Sequence, residues 1–412
     1  MMDWKRGLAM LGAAALLGIV PVVVAQESTP EANPSSVTTL RIWFPDALGS
    51  SEDSAVAATL SNLIGEFQLE NPDAQVDFRL KQSGESSATA SVYHNLRTAR
   101  SVAPGALPHL TLLRRSDLTA AVRDGLITLL SDPGDNALTE NLLPAAAPLG
   151  RVDDTLYGVP FMLEVQHQAV QPDVDIPATM SFDDLLAADW QFAFPAGQSD
   201  PISDVLSAQI AEAGGVTEEG MLAPQGEALT AIYQFYQDAM ESGLLPPGTT
   251  GYEDPTPYLP LLSSGELPAG VVTSTDYLRL RAQGAELNAV QLPTLDGQPA
   301  SVLDGWLWVI PTGTPQERAL ALRFIQWMNE PERQAAYAQS VHQIPAQREA
   351  FAQWATGDYG ELVTQILDGT LPLTDWASNY PEMARALQSG LLQVLSGSVT
   401  ARQAAQSIVP GE

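Results

Sequence analysis

The sequence predicts an α/β protein of two lobes, built on open, mostly parallel sheets with helices on both faces. From residue 38 to residue 130 apolar strands alternate with amphipathic helices, an order that is typical of an open parallel sheet. At 412 residues the chain exceeds a single ordinary core. Its hydrophobic fraction of 45% is that of a globular protein. We therefore expect two domains.

The first three strands also predict where a ligand would bind. Alternating or continuous apolar runs predict strands, and apolar residues at helical spacing predict helices. The strands are predicted at 38–44, 74–81 and 107–114, and the helices at 55–70, 83–103 and 117–124. Open α/β sheets bind ligands beyond the carboxyl ends of their strands. Those ends carry Trp43, Phe44, Ser83 and Arg114, which are candidate binding residues.

A long strand-like run at 156–168 is the candidate first crossing between the lobes, and it carries Glu164. Beyond it the pattern predicts helices at 181–188, up to 213 and at 228–242, with strands at 192–194 and 269–273. Polar side chains before or at helix starts add further candidates, because their oxygens can cap free N–H groups or meet a ligand. These candidates are Asp200, Thr275, Asp276 and Tyr277.

The stretch 301–317 is the candidate return crossing. It alternates as a strand, so Asp304, Trp306 and Trp308 share one face. Trp308 is expected to pack within the sheet, whereas Trp306 lies beside a carboxylate that a closed core would resist burying. Gly305 lets a ligand or another backbone segment approach closely. We expect Asp304, Gly305 and Trp306 to line a cleft.

The last segment contributes two aromatic candidates. An irregular loop is predicted at 370–380, and it holds Trp376 and Tyr380. Helices are predicted to follow at 381–397 and 400–408.

Composition excludes several classes of function. The net charge of −30 argues against nucleic acid and against an anionic membrane surface, which both require clustered Lys and Arg. The absence of cysteine excludes disulfides, thiolate metal sites and cysteine nucleophiles. The four histidines are too scattered for a metal-site motif, and no phosphate-loop or nucleophile-elbow pattern occurs. We expect no metal and no cofactor, and no local pattern supports catalysis.

The N-terminus predicts export. Lys5 and Arg6 precede an apolar run at 8–24, and small residues allow cleavage after Ala25. Residues 1–25 are therefore a predicted signal peptide, and residues 26–37 a predicted flexible tether. The same apolar run is nearly long enough to remain as a membrane anchor. No cysteine is present for lipid attachment.

Several short motifs, in order, resemble one protein family. They include LRIWF at 40–44, FQLENPDAQV at 67–76, LPHLTLL at 107–113, YGVPF at 157–161, LPTLDG at 292–297, DGW at 304–306 and ALRFIQWMNEP at 321–331. Each motif is weak alone, but their order and spacing over nearly the whole exported portion resemble the extracellular solute-binding proteins of bacterial ABC importers, the maltose-binding-protein-like family.

The resemblance implies a periplasmic-binding-protein-like fold that closes on one solute in a cleft between its lobes. Lobe I would comprise 38–163 plus 306–352, and lobe II 164–305 plus 353–412. By position, Glu164 matches the family's crossing carboxylate, and Asp276 or Tyr277 its second-lobe aromatic. Trp306 matches its returning tryptophan, and 376–380 lies near its C-terminal aromatic. A monomer outside the cytoplasm that serves permease subunits is expected.

A sugar fits these residue types, because it needs flat aromatic faces beside polar groups that hold its hydroxyls. Two alternatives remain open at this point. The carboxylates would also suit a cationic solute such as a polyamine. The export signal and spare carboxylates would suit a secreted carbohydrate-active enzyme.

Overall fold

The computed structural model describes residues 37–49, 54–83, 91–130, 137–177, 179–188, 190–198, 201–217, 222–370 and 376–409. These belong to one compact unit that begins at Val37. The predicted signal peptide, nearly all of the tether and Asp200 lie outside the described residues. Among the helices that are described, none has the length and apolar character needed to cross a membrane.

One six-stranded sheet gathers strands from both halves of the chain. Its strands are β1 (Thr38–Pro45), β2 (Ala74–Lys81), β3 (Leu110–Arg114), β6 (Val159–Glu164), β11 (Asp304–Val309) and β12 (Ile344–Pro345). Their order across the sheet is β12-β6-β11-β3-β1-β2. A separate two-stranded pair, β4 (Arg151–Val152) and β5 (Thr155–Leu156), precedes β6.

A four-stranded sheet takes the middle of the chain. Its strands are β7 (Gln166–Val170), β8 (Phe192–Ala193), β9 (Ala269–Thr273) and β10 (Asn288–Val290), in the order β10-β7-β9-β8. Only Val165 separates β6 from β7. The predicted run at 156–168 is therefore two strands in two sheets, with the change of sheet at Val165.

The α/β class and the dominance of one strand direction are confirmed. In the larger sheet β6, β3, β1 and β2 run in one direction, and β11 and β12 run against them. In the smaller sheet β10, β9 and β8 share a direction that β7 opposes. Both sheets are thus open and mixed, because the segments that join them run back into each sheet.

Helices surround both sheets. In chain order they are α1 (Asp46–Gly49), α2 (Ser54–Glu70), α3 (Val92–Val102), α4 (Arg115–Arg123), α5 (Phe182–Leu186), α6 (Asp204–Glu212), α7 (Gly226–Glu241), α8 (Leu259–Ser264), α9 (Ser274–Ala282), α10 (Pro315–Met328), α11 (Pro331–Val341), α12 (Arg348–Trp354), α13 (Gly357–Gly369), α14 (Trp376–Asn379), α15 (Pro381–Leu395) and α16 (Ala401–Ile408). Short 3-10 helices lie at Pro104–Ala106, Ala147–Gly150 and Thr249–Gly251.

Three segments differ from their sequence predictions. The helix expected from residue 83 begins at Val92, because Ser91 accepts a hydrogen bond from the backbone N–H of His94 and caps it. The loop expected at 370–380 contains α14. Helix α13, which the predicted division placed in lobe II, contributes Val363 and Ile366 to the core on one face of the larger sheet.

A group of buried aromatic residues lies in the other core of the larger sheet. Trp308 is fully buried, and its ring centroid lies 5.0 Å from that of Phe161 and 5.8 Å from that of Phe44. Tyr337 of α11 closes the group against Phe44 and Phe161. The expectation that Trp308 packs within the sheet agrees with this position. We call these four residues the aromatic core.

Candidate functional site

The register of β11 brings three charged side chains to one end of the larger sheet. Asp304 pairs with Glu164 on β6, and Trp306 pairs with Arg114 on β3. Residues that pair across strands share a face, and so do residues two apart on one strand. The ladder therefore places Arg114, Glu164, Asp304 and Trp306 on the same face.

Arg114 forms the centre of this group. Its Nη1 lies 2.9 Å from Oε1 of Glu164 and 3.4 Å from Oδ2 of Asp304. The side chains of Arg114, Glu164 and Asp304 are 29%, 12% and 31% exposed, so all three are partly shielded but reachable from solvent. The second carboxylate oxygen of Asp304, Oδ1, is buried and accepts no hydrogen bond from the described residues.

Glu164 also connects the larger sheet to α9, which follows β9 of the smaller sheet. The hydroxyl of Thr275 donates to Oε2 of Glu164. Thr275 in turn accepts a 2.7 Å hydrogen bond from Nε2 of Gln343, a side chain that is only 2% exposed. Glu164 is therefore held from both sides of the junction.

Asp204, the first residue of α6, joins this group from the smaller sheet's side. Its Oδ2 accepts a 3.2 Å hydrogen bond from Nε2 of Gln166. Asp304 and Glu164 both act electrostatically on Asp204. We call Arg114, Glu164, Asp204 and Asp304 the charged cluster.

The ionisation of the charged cluster follows from burial and mutual attraction. Burial and the nearby Asp304 carboxylate raise the pKa of Asp204 to about 6. Burial would also raise the pKa of Glu164, but Arg114 and the Thr275 hydroxyl outweigh it and lower that pKa. Burial would lower the pKa of Arg114, but Glu164 and Asp304 outweigh it and raise it. Arg114 and Glu164 are thus firmly charged, whereas Asp204 titrates near neutrality.

Trp306 lies beside the charged cluster but is only 2% exposed. The guanidinium carbon of Arg114 lies 4.9 Å from its ring centroid. Gly305 is required by the neighbouring strand, since a Cβ at this position would lie 2.2 Å from the carbonyl oxygen of Met162. A β-bulge follows between Trp306 and Leu307. The close approach expected at Gly305 is therefore made by backbone.

The candidates at the end of β1 are buried. Trp43 is 5% exposed, and Nζ of Lys81 lies 4.2 Å from its ring centroid. Phe44 is 1% exposed and belongs to the aromatic core, which corrects its expected placement in a cleft. The strand alternation turns Phe44 toward α2 and α11, away from the face that carries Trp43.

Ser83, at the end of β2, joins two strand ends. Its hydroxyl and its backbone N–H both donate to Oδ1 of Asp46, the latter at 2.9 Å. The hydroxyl oxygen also accepts from the backbone N–H of Ala47 at 3.1 Å. The structure thus gives Ser83 a clear role in fixing the start of α1.

The three candidate binding residues of α9 lie in different surroundings. Thr275 contacts Glu164, as described above. Asp276 lies in the first turn of α9, which Thr273 caps: the Thr273 hydroxyl oxygen accepts from the backbone N–H of Asp276 at 3.1 Å, and the hydroxyl donates to Oδ2 of Asp276 at 3.0 Å. Burial followed by the Glu164 charge raises the pKa of Asp276. Tyr277 is 6% exposed, and its ring packs against His167 and Tyr359 in the core of the smaller sheet. That packing corrects the expectation that Tyr277 presents a face to solute.

The C-terminal candidates lie on and after α14. Tyr380 is 49% exposed. Trp376 begins α14, and its side chain lies outside the described part of the structure, as does Asp200.

Sequence reasoning missed Asp204, Gln166 and Gln343. The Ser203-Asp204 pair at a helix start was a usable signal, because Ser before an acidic first turn is typical of helix N-termini. Nothing local marks Gln343, which follows α11 and reaches Thr275 only through the fold. No group of three or more His, Asp or Glu suited to a metal ion occurs within the described ranges.

A cavity of about 290 Å³ opens elsewhere, between the 143–149 segment, Leu303 and α13. Its lining is mostly apolar and includes no member of the charged cluster.

Comparison with protein families gives one match. The family described as "Bacterial extracellular solute-binding protein" matches residues 95–358, well over half of the chain. No curated protein sequence matches.

Several solved structures of low sequence identity have a similar fold, and three of them are the following. A cyclo/maltodextrin-binding protein in complex with maltotetraose is 16% identical, with a TM-score of 0.70 over 92% of this chain and 97% of that chain. Maltose-bound MalE3 of T. maritima is 17% identical, with a TM-score of 0.68 over 90% and 97%. The GacH receptor of Streptomyces glaucescens, solved with and without acarbose, is 17% identical, with a TM-score of 0.65 over 90% and 96%.

Proposed function

The chain belongs to the bacterial extracellular solute-binding proteins, a family of binding proteins and not of enzymes, and on that premise we propose that it is the sugar receptor of an ABC importer. It binds a sugar or oligosaccharide between two lobes outside the cytoplasm and delivers it to permease subunits in the membrane. Lobe I is 38–163 plus 306–352, joined by α13, whose Val363 and Ile366 lie in the core of the larger sheet. Lobe II is 164–305 plus the rest of 353–412, and an N-terminal signal directs export.

The observation that carries this proposal is the position of Glu164. It ends β6 of the larger sheet, and its carboxylate is bonded both by Arg114 of that sheet and by Thr275 of α9. Asp204 approaches the same group from α6. A solute that binds here contacts elements of both sheets, so its binding free energy favours the closed arrangement over the open one.

The chemistry of the group suits a hydroxylated solute. The carboxylates of Glu164, Asp204 and Asp304 accept hydrogen bonds from hydroxyls, and the Arg114 guanidinium donates to hydroxyl or ring oxygens. Hydrogen bonds to charged groups are about twice as strong as neutral ones. The sugar complexes of proteins with the same fold support the same class of solute.

Calorimetric titration with maltose, maltotetraose and acarbose tests the proposal. At least one should bind with a Kd on the order of micromolar, which corresponds to about −8 kcal/mol. Small-angle scattering should show a smaller radius of gyration at saturation.

The variant Glu164→Gln should weaken that binding by about tenfold to a hundredfold, since a charge-assisted bond is replaced by a neutral one. Glu66→Gln, an exposed residue of α2, is the matched control and should bind as the wild type does. Absence of binding by every sugar tested, neutral sugars and amino sugars alike, would overturn the proposal.

A further inference from the structure

The charged cluster contains more negative than positive charge. Three carboxylates, those of Glu164, Asp204 and Asp304, surround the single guanidinium of Arg114. Two negative charges are in excess when all four groups are ionised. Asp276 and Arg279 of α9 also act on Glu164, but with opposite signs. Partly buried charges of one sign are costly unless a partner neutralises them.

The cluster also lacks hydrogen-bond donors. The Thr275 hydroxyl gives its proton to Glu164, so it must accept from Gln343, and this fixes the Gln343 amide with its NH₂ group toward Thr275. Oε1 of Gln343 is then left without a donor in the described part of the chain, although the residue is 2% exposed.

Gln166 repeats this arrangement on the side of Asp204. Its NH₂ group donates to the Asp204 carboxylate, and its Oε1 is buried without a partner among the described residues. Oδ1 of Asp304 is a third such atom. All three are acceptors, and buried acceptors without donors each cost roughly 1–3 kcal/mol. These atoms fit a ligand that brings donors.

Among the described aromatic candidates Tyr380 is exposed, whereas Trp43, Trp306 and Tyr277 offer little stacking surface to compensate. Trp43 and Trp306 are buried, and each has a cationic side chain over its ring. Tyr277 is enclosed by His167 and Tyr359. Charge and acceptor atoms therefore decide what this part of the site selects.

We propose that the solute is a sugar that carries a protonated amino group, and that the ammonium binds at the acidic side of the charged cluster, between Asp204 and Asp304. An ammonium presents three donors and no acceptor, which suits Oε1 of Gln166, whose amide bonds Asp204, and Oδ1 of Asp304, and it neutralises the excess charge. The hydroxylated frame occupies the remainder of the site. This inference rests on the proposed function, because it names the substrate class of the same site.

Matched ligands that differ only in the type of substituent at the same ring positions test the inference. Chitobiose bears amino groups, N,N′-diacetylchitobiose bears neutral amides, and cellobiose bears hydroxyls at the same positions. Glucosamine and glucose form a second pair, and spermidine supplies a cation without hydroxyls. Calorimetry at pH 7 should show the amino sugar binding at least about tenfold more tightly than its neutral counterpart, because only it gains an attraction to the excess carboxylates.

Two variants locate the effect. Asp204→Asn and Asp304→Asn should each reduce the preference for the amino sugar to about threefold or less, and thermal unfolding of each variant verifies that it is folded. Glu66→Gln, which removes a carboxylate on α2 far along the chain from the cluster, should retain the full preference.

The outcomes separate this inference from the proposed function. Equal or tighter binding of the neutral sugars would overturn the inference and leave the sugar receptor intact. A preference that survives in both Asn variants would also overturn it. Binding of spermidine alone, or of no ligand, would overturn the sugar function and this inference with it.

Discussion

The two ends of β6 and β11 have opposite chemistry. At one end Glu164 pairs with Asp304 beside Arg114, and the three side chains are partly exposed. At the other end Val159 pairs with Trp308, which is fully buried in the aromatic core. The same pairing of β6 with β11 therefore connects both regions. The packed end holds the strands in place, and the strands hold the charged side chains close together, where they would otherwise repel one another or be hydrated separately.

The largest loss of stability is expected from a substitution in the aromatic core. Trp308→Ala removes a ring that contacts Phe161, Phe44 and Phe324 and should lower the free energy of unfolding by about 3–5 kcal/mol. Urea denaturation measures this. Solute affinity per folded molecule should not change, since no atom of Trp308 belongs to the charged cluster.

Trp308→Phe is the matched variant for that experiment. The indole Nε1 has no hydrogen-bond partner in the described structure, so only volume is lost and the cost should be about 1–2 kcal/mol. A cost of Trp308→Ala below about 1 kcal/mol would show that the aromatic core does not hold the ladder.

An intermediate effect is expected at the charged end. Arg114→Met leaves Glu164 and Asp304 without their counter-ion and should destabilise the protein by about 2–3 kcal/mol at pH 8. This is less than for a fully buried pair, because the side chains are partly exposed. At pH 5 the loss should shrink, since carboxylates without a cation take up protons more readily.

Arg323→Met supplies the comparison for Arg114. Arg323 pairs with Asp73 on the surface, where both side chains are over 40% exposed, so its loss should cost below about 1 kcal/mol. If the two variants lose equal stability, the charged cluster is no more than a surface ion pair.

The smallest expected effect is a gain in stability, at Asp204. Because the pKa of Asp204 is raised from 3.8 to about 6, the folded protein binds its proton more tightly than the unfolded chain does. The contribution of Asp204 to the free energy of unfolding is therefore most favourable below pH 4. It declines as the pH rises to about 6, by roughly 3 kcal/mol at most. Asp204→Asn should raise the unfolding free energy at pH 8 by about 1 kcal/mol, since the lost helix-terminus attraction offsets part of the gain.

The same substitution at Asp184 should act in the other direction. Asp184 lies in the first turn of α5, and its hydrogen bonds to Thr179 and Ser181 lower its pKa. Asp184→Asn should thus reduce stability at pH 8. Unfolding of both variants between pH 4 and pH 8 tests this contrast, and a loss of stability in Asp204→Asn at pH 8 would contradict it.

The fold class was predictable because it depends on local patterns. Alternation predicted β1 and β11, and the pattern from residue 181 predicted a helix where α5 lies. The same local reasoning placed Asp304 and Trp306 on one face, which their pairing with Glu164 and Arg114 confirms. The class of protein followed from the order of short motifs along the chain.

Side-chain surroundings were not predictable, because they depend on contacts between distant segments. Alternation cannot show that Lys81 covers Trp43, or that Tyr359 encloses Tyr277. It cannot show that Gln343 reaches Thr275 across 68 positions of sequence. Trp43, Phe44, Tyr277 and Trp306 are therefore buried, whereas Arg114, Glu164 and Asp304 lie together at the end of β11.

The position of β11 also determines the order in which the molecule can fold. β11 lies between β6 and β3, yet it is synthesised about 140 residues after β6, and β12 at the sheet edge follows later still. When synthesis has reached Glu164, β1, β2, β3 and β6 are present, but β11, which lies between β6 and β3, is still missing. Long-range pairing of this kind slows folding, because a large loop must close before the contacts form. The larger sheet consequently cannot be completed until β11 and β12 have been synthesised, and chaperones can bind the unfolded chain during that interval.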